Sequence, residues 1–210
     1  MRDIHNLSRF GRRALLTDEL LYFDPQKIVH YHKYPKVRLP QYTNKRYSSV
    51  IFDGDWDLSL LKVTKYWKFR ACHAHFVQGL RWDETETIDR HMKRIAARGV
   101  YDECTTREEV VKRLESIDRL YDSIAKDMRV TPVTELDSYR HRGYGGIFGH
   151  IDRHGDFIRT HDGNHRFAIA RCLGLKLVPV HVGLVHPIAV RDGLIPFLRQ
   201  QSLQLVNSGG

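Results

Sequence analysis

The stretch His161-Asp162-Gly163-Asn164-His165-Arg166-Phe167-Ala168-Ile169-Ala170 determines how the rest of the sequence is interpreted. It follows a short apolar, β-branched segment and runs into further apolar residues, which predicts a strand, a tight turn and a helix. Gly163 permits the positive φ or close backbone approach that such a turn needs. We call Asp162 to Arg166 the DGNHR turn, and the pattern predicts that it opens a helix.

The polar side chains of the DGNHR turn predict a site for an anion. A helix N-terminus presents free backbone N–H groups and the positive end of the helix dipole. His165 and Arg166 add donors and charge, and Asn164 can orient a ligand oxygen or cap the helix. A purely structural turn is the alternative, because Asp-Gly before a helix is a common connection. The concentration of polar groups, with Asp162 among them, favours the binding site.

Sequence on both sides of the turn predicts a small mixed sheet. Residues 147–159 form two apolar, β-branched runs around a turn, which predicts a β-hairpin. Residues 167–173 predict a helix that ends at Gly174, and residues 177–182 predict a final strand. The glycine cluster at 143–146 is either a turn or a loop that closes over a ligand.

The middle of the chain predicts three helices. Segments at 67–78 and 85–98 have helical character, and Gly99 ends the second. Thr106 stands three residues before Glu109, which is the spacing of a capping box and predicts the start of a third, longer helix. Its buried face is predicted from apolar residues that recur at spacings of three and four. These residues are Val110, Leu114, Ile117, Leu120, Ile124 and Met128.

The segment from 147 to 180 resembles the ParB/sulfiredoxin superfamily. The hairpin, the DGNHR turn with its helix, Leu173-Gly174-Leu175 and Val178-Pro179-Val180 carry the resemblance. It implies an α+β fold with a small mixed sheet and helices over residues 49–210, with a helical insertion at about 64–130. It also implies that Gly163, Asn164, His165 and Arg166, with Asp162, hold nucleotide phosphates.

Members of that superfamily differ in chemistry. They include chromosome-partition ParB domains, which bind CTP, sulfiredoxin, which uses ATP, and an archaeal free-serine kinase with the signature Asp-Gly-X-His-Arg. Sulfiredoxin has a cysteine where this sequence has Asn164, so reduction of a sulfinic acid is not expected. About 28 residues follow Val182, too few for the helix-turn-helix domain of partition proteins.

The resemblance to the kinase signature therefore implies an ATP-dependent phosphotransferase or a nucleotide hydrolase. Its expected ligands are ATP or another nucleoside triphosphate, Mg²⁺, and a small metabolite with a hydroxyl group as the acceptor. Two alternatives stay open at this point. One is a non-catalytic module that binds CTP or DNA, and the other is a metal-dependent nuclease.

A second polar cluster, which we call the acidic turn, runs from Asp53 through Gly54, Asp55 and Trp56 to Asp57. It follows an apolar, β-branched segment at 48–52 that predicts a strand. Its structural interpretation is a turn in which Asp57 caps a following helix and Trp56 is buried as a packing anchor.

The functional interpretation of the same cluster is a catalytic site for phosphoryl transfer. That chemistry needs a carboxylate that accepts the hydroxyl proton, together with Mg²⁺ ligands. The hypothesis takes Asp55 as the base and Asp57 and His165 as further catalytic residues. Asp53 and Asp162 are the expected metal ligands. Glu135, which precedes the hairpin, is a reserve candidate for the base.

Composition sets the broad class of protein. Hydrophobic residues at 41% and charged residues at 28% are typical of a globular chain rather than a disordered or fibrous one. Lys and Arg number 34 against 25 Asp and Glu, a net charge of +9 that favours anionic partners without identifying them. Residues 1–48 are basic and tyrosine-rich, which predicts an N-terminal arm that either packs on the domain or contacts nucleic acid.

The remaining patterns concern the compartment and metals. No apolar run approaches the length of a membrane span and the N-terminus lacks a signal-peptide pattern, so a cytoplasmic protein without a membrane partner is expected. Three unpaired cysteines agree with a reducing compartment. Cys72-His73-Ala74-His75 lacks a second ligand pair at zinc spacing, so these residues are interpreted as ordinary helix residues.

Overall fold

The computed structural model describes residues 2–17, 19–32, 48–132, 135, 146–160 and 162–208. Within these residues the chain is a mixed α+β protein, with an open mixed sheet and helices packed around it, which confirms the predicted class. The strands are β1 (Leu20–Phe23), β2 (His30–His32), β3 (Val50–Ile51), β4 (Leu60–Lys62), β5 (Ile147–Ile151), β6 (Phe157–Arg159) and β7 (Val178–Val185). The α-helices are α1 (Arg2–Phe10), α2 (Trp67–Phe76), α3 (Thr87–Arg98), α4 (Arg107–Asp127), α5 (Asn164–Cys172), α6 (Pro187–Arg191) and α7 (Leu194–Ser208).

Strand β7 organises the sheet, whose order is β1-β7-β5-β6-β2-β4. β5 pairs with one edge of β7 in parallel, with Ile147 opposite Val180. The other edge is shared by β1, which is antiparallel and places Leu21 opposite Val180, and by β3, which is parallel and places Val50 opposite Leu184. With neighbouring strands on both edges, β7 is buried along nearly all of its length.

The predicted hairpin is confirmed, and it separates two turns. β5 and β6 are antiparallel, with His150 opposite Ile158, and the connection at 152–156 joins them at one end. The chain leaves β6 at the other end and enters the DGNHR turn, so the two turns lie at opposite ends of the hairpin. β6 continues the sheet by pairing in parallel with β2, where Arg159 is opposite Tyr31.

The N-terminal segment supplies part of the sheet rather than a separate arm. β1 and β2 both come from the range 1–48, and α1 is tied to the strand region by Asn6, whose amide donates to the carbonyl of Ser49 at 3.0 Å. The four apolar residues of β1 are too short a run to predict a strand on their own, and the partner strand β7 lies far away in sequence. Residues 33–47, which hold several of the basic residues, lie outside the described residues.

The capping box of α4 is confirmed. Thr106 Oγ1 accepts from the Glu109 N–H at 3.2 Å, and the Glu109 carboxylate accepts from the Thr106 N–H at 3.3 Å. Of the predicted apolar face, Leu120 is only partly buried, and Met128 lies beyond the helix in the left-handed region with its side chain exposed. The other members of that face are buried. Gly99 ends α3 with φ of +79°, as predicted.

Helices α2, α3 and α4 form a layer next to the DGNHR turn. α2 and α4 both pack against α5, and α3 packs against α4. Phe76 of α2 stacks on Tyr121 of α4 with ring centroids 4.2 Å apart, in line with a shared apolar core. The segment expected as an insertion at 64–130 therefore forms one wall beside the start of α5.

The C-terminal helices return to the N-terminal strand. β7 runs to Val185, beyond its predicted end, and α6 and α7 follow it. Ser202 Oγ in α7 accepts from the Tyr22 N–H of β1 at 2.8 Å, and Arg199 forms an ion pair with Glu19. Among the described residues, no helix is long and apolar enough to cross a membrane.

Candidate functional site

The backbone of the DGNHR turn can be formed only by glycine at position 163. Gly163 has φ of +68° and its carbonyl accepts the Phe167 N–H at 3.0 Å, which starts the hydrogen-bonding pattern of α5. A Cβ atom there would lie 2.1 Å from the carbonyl oxygen of Gly146. The turn is thus pressed against the start of β5, and α5 begins at Asn164 as the sequence predicts.

Arg159, at the end of β6, lies directly beneath the start of α5. Its side chain is 1% exposed. One guanidinium nitrogen donates to the Phe148 carbonyl at 2.6 Å, and another donates to Asn164 Oδ1 at 3.3 Å. The guanidinium carbon also lies 4.8 Å from the centre of the Phe167 ring, a cation–π geometry.

No carboxylate of the described residues forms an ion pair with Arg159. Burial lowers the pKa of its guanidinium to about 10, while Tyr31, Asp162 and Tyr66 favour the charged form. An arginine with this pKa is still a cation at neutral pH. Although the Asp162 carboxyl lies near it, the lack of an ion pair among the described residues leaves the buried guanidinium without direct counter-charge, which is costly. An anion bound at the turn would supply that counter-charge.

Arg166 is a second cation at the turn. Its side chain is half-buried, and burial alone lowers the pKa of the guanidinium. Within the described part of the chain it has neither a hydrogen bond nor an ion pair. Its five donors are therefore available to a ligand, as the sequence predicts for an anion site.

Asp162 and Asn164 complete the polar groups of the turn. Burial raises the pKa of the Asp162 carboxyl, and the nearby Arg159 opposes that shift. Asn164 uses Oδ1 for Arg159 and directs its amide nitrogen to Tyr66 Oη at 3.4 Å. Tyr66 in turn stacks on Tyr31 with ring centroids 4.5 Å apart, so aromatic rings support this side of the turn.

His165 is oriented toward a different group of residues. Burial lowers the pKa of its imidazole to about 3, and Lys68, Asp102, Arg113 and His91 are its charged or polar neighbours. This direction favours a neutral ring at physiological pH, in which His165 acts as a hydrogen-bonding group rather than as a charge, and its place in phosphate binding stays a prediction. Its catalytic role stays a prediction as well.

The neighbours of His165 form a hydrogen-bonded cluster of their own. Lys68 Nζ lies 3.0 Å from Asp102 Oδ2, and His91 Nε2 lies 3.5 Å from the same oxygen. The hydrogen bond with His91 lowers the pKa of Asp102 strongly, against the effect of burial and with help from Lys68. This cluster connects α2, α3 and the connection before α4, and it fixes the layer next to α5.

The acidic turn is built around Arg153, which forms ion pairs with two of its carboxylates. Asp57 is buried, and its carboxylate accepts from the Arg153 backbone N–H at 3.0 Å and from two guanidinium nitrogens at 2.8 and 2.7 Å. Burial disfavours the ionised form, but these bonds outweigh it and lower the pKa of Asp57. Asp55 also pairs with Arg153 at 2.8 Å although its side chain is 79% exposed. The described structure thus gives Asp57 a structural partner.

Asp53 and Trp56 occupy the two faces of the acidic turn. The Asp53 side chain is 86% exposed and lies 3.8 Å from His186 Nε2. Trp56 is buried, as its interpretation as an anchor predicts, and its ring contacts His32, His150 and His186. The helix expected after Asp57 is instead a single 3-10 turn, Trp56–Leu58, followed by β4.

The two predicted clusters are not brought together. Arg153 holds the acidic turn against the connection at 152–156, while the DGNHR turn lies at the other end of the β5–β6 hairpin. Asp53, Asp55 and Asp57 therefore do not stand beside Arg159 and Arg166. The reserve candidate Glu135 bonds Arg129 at 2.6 and 2.7 Å on the surface.

Two further expectations concern loops and metals. Residues 143–145 of the glycine cluster lie outside the described residues, and Gly146 supports Gly163 from below. The described residues contain no group of three or more His, Cys, Asp and Glu side chains arranged to hold a metal ion. Cys72 is buried in α2, where burial raises the pKa of its thiol strongly.

Arg159 and Tyr66 are the site residues that the sequence does not reveal. Arg159 ends a strand whose three residues are all buried, including the charged one. An arginine in a short apolar run next to the DGNHR turn is the one available signal. Tyr66 comes from the start of α2, and its proximity depends on how that helix packs on α5.

Comparison of the chain with protein-family models, with curated proteins and with solved structures found no match.

Proposed function

We propose that the protein binds the phosphate groups of a nucleotide at the DGNHR turn. The observation that carries the proposal is the buried guanidinium of Arg159, which lies at the N-terminus of α5 and has no ion-pair partner among the described residues. A second, half-buried arginine, Arg166, belongs to the first turn of the same helix. Arginine is the side chain best suited to phosphate oxygens, and the free N–H groups of the first helical turn add donors in the same place.

The ParB/sulfiredoxin-like fold is part of the proposal. The order hairpin, DGNHR turn, helix and buried strand agrees with the resemblance in the sequence. A phosphate bound there would contact the backbone of residues 163–166, Arg166 from the helix, and Arg159 from below. Asn164 would stay with Arg159 and orient it.

ATP-dependent phosphoryl transfer to a small hydroxyl-bearing acceptor is the activity that we propose for this site. Asp162 is the carboxylate of the turn, and burial raises the pKa of that carboxyl, which suits a group that accepts a proton. The guanidinium groups would hold and orient the phosphate chain.

A single carboxylate suits a Mg²⁺ ion that arrives with the nucleotide rather than a metal centre held by the protein alone. When bound, Mg²⁺ would neutralise charge on the phosphates. Holding the ion is the alternative role for Asp162 to that of proton acceptor, because a carboxylate bound to Mg²⁺ is a weaker base.

Binding without turnover is the second candidate. It is favoured by the position of the acidic turn, whose carboxylates pair with Arg153 at the far end of the hairpin instead of lining the DGNHR turn. In that case the same cations would hold a nucleotide such as CTP, and no acceptor would be needed.

A thermal-shift titration with ATP, CTP, GTP and AMP, each with and without Mg²⁺, tests the binding step. Ligand that binds the folded state raises the midpoint, and we expect the triphosphates to raise it most. Arg166→Gln should weaken binding by about 10- to 100-fold, the effect of losing a charged hydrogen bond. Arg119→Gln, on the exposed face of α4, is the matched control and should bind as the unaltered protein does.

Turnover separates the two candidates. An ATP-consumption assay with small hydroxyl-bearing acceptors should show activity that Asp162→Asn abolishes while nucleotide binding persists. Nucleotide binding without any consumption of ATP would favour the binding module. The absence of a thermal shift with every nucleotide would overturn the proposal as a whole.

A further inference from the structure

A pocket lies far from the DGNHR turn, between α1 and α6. Its volume is about 660 Å³, and Arg9, Phe10 and Arg13 line one side, while Pro187, Ile188 and Arg191 line the other. α6 follows the C-terminal end of β7, which runs parallel to β5, so the pocket is at the hairpin-connection end of the sheet. A pocket of this size is typical of sites for small organic ligands.

The charged groups of this pocket are mainly arginines with unused donors. Arg9 has no ion pair among the described residues and lies over the Phe10 ring, with its guanidinium carbon 5.4 Å from the ring centre. Arg13 directs one nitrogen to the Arg191 carbonyl at 3.4 Å. Arg191 uses Nε for Asp192 at 2.8 Å, which leaves its terminal nitrogens for a ligand.

A single described carboxylate, Asp53, faces the three arginines in the lining of the pocket. Its side chain is bonded to the Gly54 N–H at 2.7 Å, which fixes the carboxylate at the rim. Three guanidinium groups suit a phosphate monoester dianion, since each can donate two parallel hydrogen bonds to its oxygens. Asp53 would repel that phosphate but accept hydrogen bonds from hydroxyl groups elsewhere on the same ligand.

The apolar residues that line the pocket suit an uncharged part of the ligand. Phe10, Pro187, Ile188 and Val190 form a wall without hydrogen-bonding side chains. Such a wall favours a ring that stacks or packs against it rather than a bare inorganic ion. Phosphate, hydroxyl groups and a ring are the parts of a nucleoside monophosphate.

We propose that this pocket, which we call the arginine pocket, is a second binding site that takes a nucleoside monophosphate unit. The phosphate would pair with Arg9, Arg13 and Arg191, the ribose hydroxyls with Asp53, and the base with the apolar wall. The proposal does not depend on nucleotide binding at the DGNHR turn, since none of the residues is shared.

Protection of arginines from phenylglyoxal, followed by mass spectrometry of chymotryptic peptides, tests the proposal residue by residue. AMP should lower the modification of Arg9, Arg13 and Arg191 several-fold and leave Arg12 unchanged. Arg12 is an exposed neighbour that does not line the pocket, so it is the internal control. Ribose 5-phosphate should protect less than AMP, and adenosine least of all.

Variants show whether binding at the arginine pocket is independent of binding at the DGNHR turn. The experiment is repeated in Arg166→Gln, where protection of the arginine pocket should persist. In the double variant Arg9→Gln and Arg13→Gln, AMP should no longer protect Arg191, whereas Arg12→Gln should leave that protection intact. The nucleoside monophosphate unit could be a free nucleotide or the 5′ end of a nucleic-acid strand. If a 5′-phosphorylated oligothymidylate protects the arginines as well as AMP does, the strand end is the source.

Two results would overturn the proposal. One is equal modification of Arg9, Arg12, Arg13 and Arg191 with and without AMP. The other is protection by simple carboxylates, such as benzoate, that matches protection by AMP, because the pocket would then select an anion on an apolar body rather than a nucleotide unit.

Discussion

The acidic turn and the DGNHR turn are both dense in charge, yet they are built in opposite ways. In the acidic turn the buried carboxylate of Asp57 is matched by Arg153, so charge is neutralised within the protein. In the DGNHR turn the buried Arg159 contacts a carbonyl, an amide and an aromatic ring and lies near Asp162 without an ion pair among the described residues, and Arg166 has no hydrogen bond or ion pair among them. Charge that the fold pairs stabilises structure, and charge that it leaves unpaired is available to a ligand.

The largest expected effect is on the backbone of the DGNHR turn. Gly163→Ala should destabilise the protein by about 3 kcal/mol or more, because it combines strain at positive φ with a steric clash. Gly174→Ala is the matched control, since Gly174 has φ of +69° but nothing within 4 Å of an added Cβ. It should cost about 1 kcal/mol. Urea denaturation measures both, and equal losses would contradict the packing of Gly163 on Gly146.

The next effect is a loss of stability at the acidic turn, where Asp57 is paired with Arg153. Asp57→Asn should destabilise by about 1.5–3 kcal/mol, because it weakens charged hydrogen bonds to Arg153 in a buried site. Asp55→Asn, at an exposed position, should change stability by less than about 0.5 kcal/mol. Because the folded-state pKa of Asp57 is lowered, its contribution is present above about pH 4 and is lost as the pH falls further. Chemical denaturation at pH 7 and at acidic pH would detect the difference.

Arg159→Met tests the buried charge of the DGNHR turn that has no ion pair among the described residues. Phe148 O keeps Thr160 N and Thr160 Oγ1 as donors at 3.1 and 3.0 Å, so the substitution leaves that carbonyl satisfied. Removal of an unpaired buried cation should therefore change stability by about 1 kcal/mol or less, while nucleotide affinity should fall by at least about tenfold. The opposite result would be a variant that is strongly destabilised but binds nucleotide with normal affinity under stabilising conditions. That result would show that Arg159 supports the fold and does not bind the ligand.

A further effect, spread over several buried histidines, is a dependence of stability on pH. Burial lowers the pKa of His150 and of His165 to about 3, and that of His32 is also lowered. Below pH 6.5 the unfolded chain takes up protons at these rings and the folded chain does not, so stability should fall as the pH drops from 7 to 5. Each ring contributes at most about 1.4 kcal/mol per pH unit.

His165→Gln tests which ring is responsible. The variant should have a shallower fall in the free energy of unfolding between pH 7 and 5, while His154→Gln, at an exposed position, should keep the original slope. An unchanged slope in His165→Gln would show that the imidazole of His165 is not buried as described.

Local features of the fold could be predicted, and features that depend on distant contacts could not. Thr106 and Glu109 define the start of α4 because both halves of a capping box lie within four residues. Gly163 and Gly174 mark the two ends of α5 for the same reason. β1 was not predicted, since a four-residue strand is stabilised by its pairing with β7.

The same distinction applies to the site. The anion-binding character of the DGNHR turn follows from residues next to one another, whereas the pairing of Asp57 with Arg153 joins residues 96 positions apart. That contact is not visible in the sequence, where the acidic turn has the composition of a metal or proton-transfer site. The orientation of His165 likewise depends on Lys68 and Asp102, which sequence does not place beside it.

The position of β7 in the sheet sets the order in which the protein can be assembled. β1, β3 and β5 all bond to it, and it comes near the end of the chain. During synthesis, the early strands must wait for residues 178–185 to emerge before they gain a partner, and contacts so remote in sequence form slowly. Until then the apolar strand β1 lacks its main neighbour, so its backbone N–H and C=O groups have no partner strand during most of synthesis.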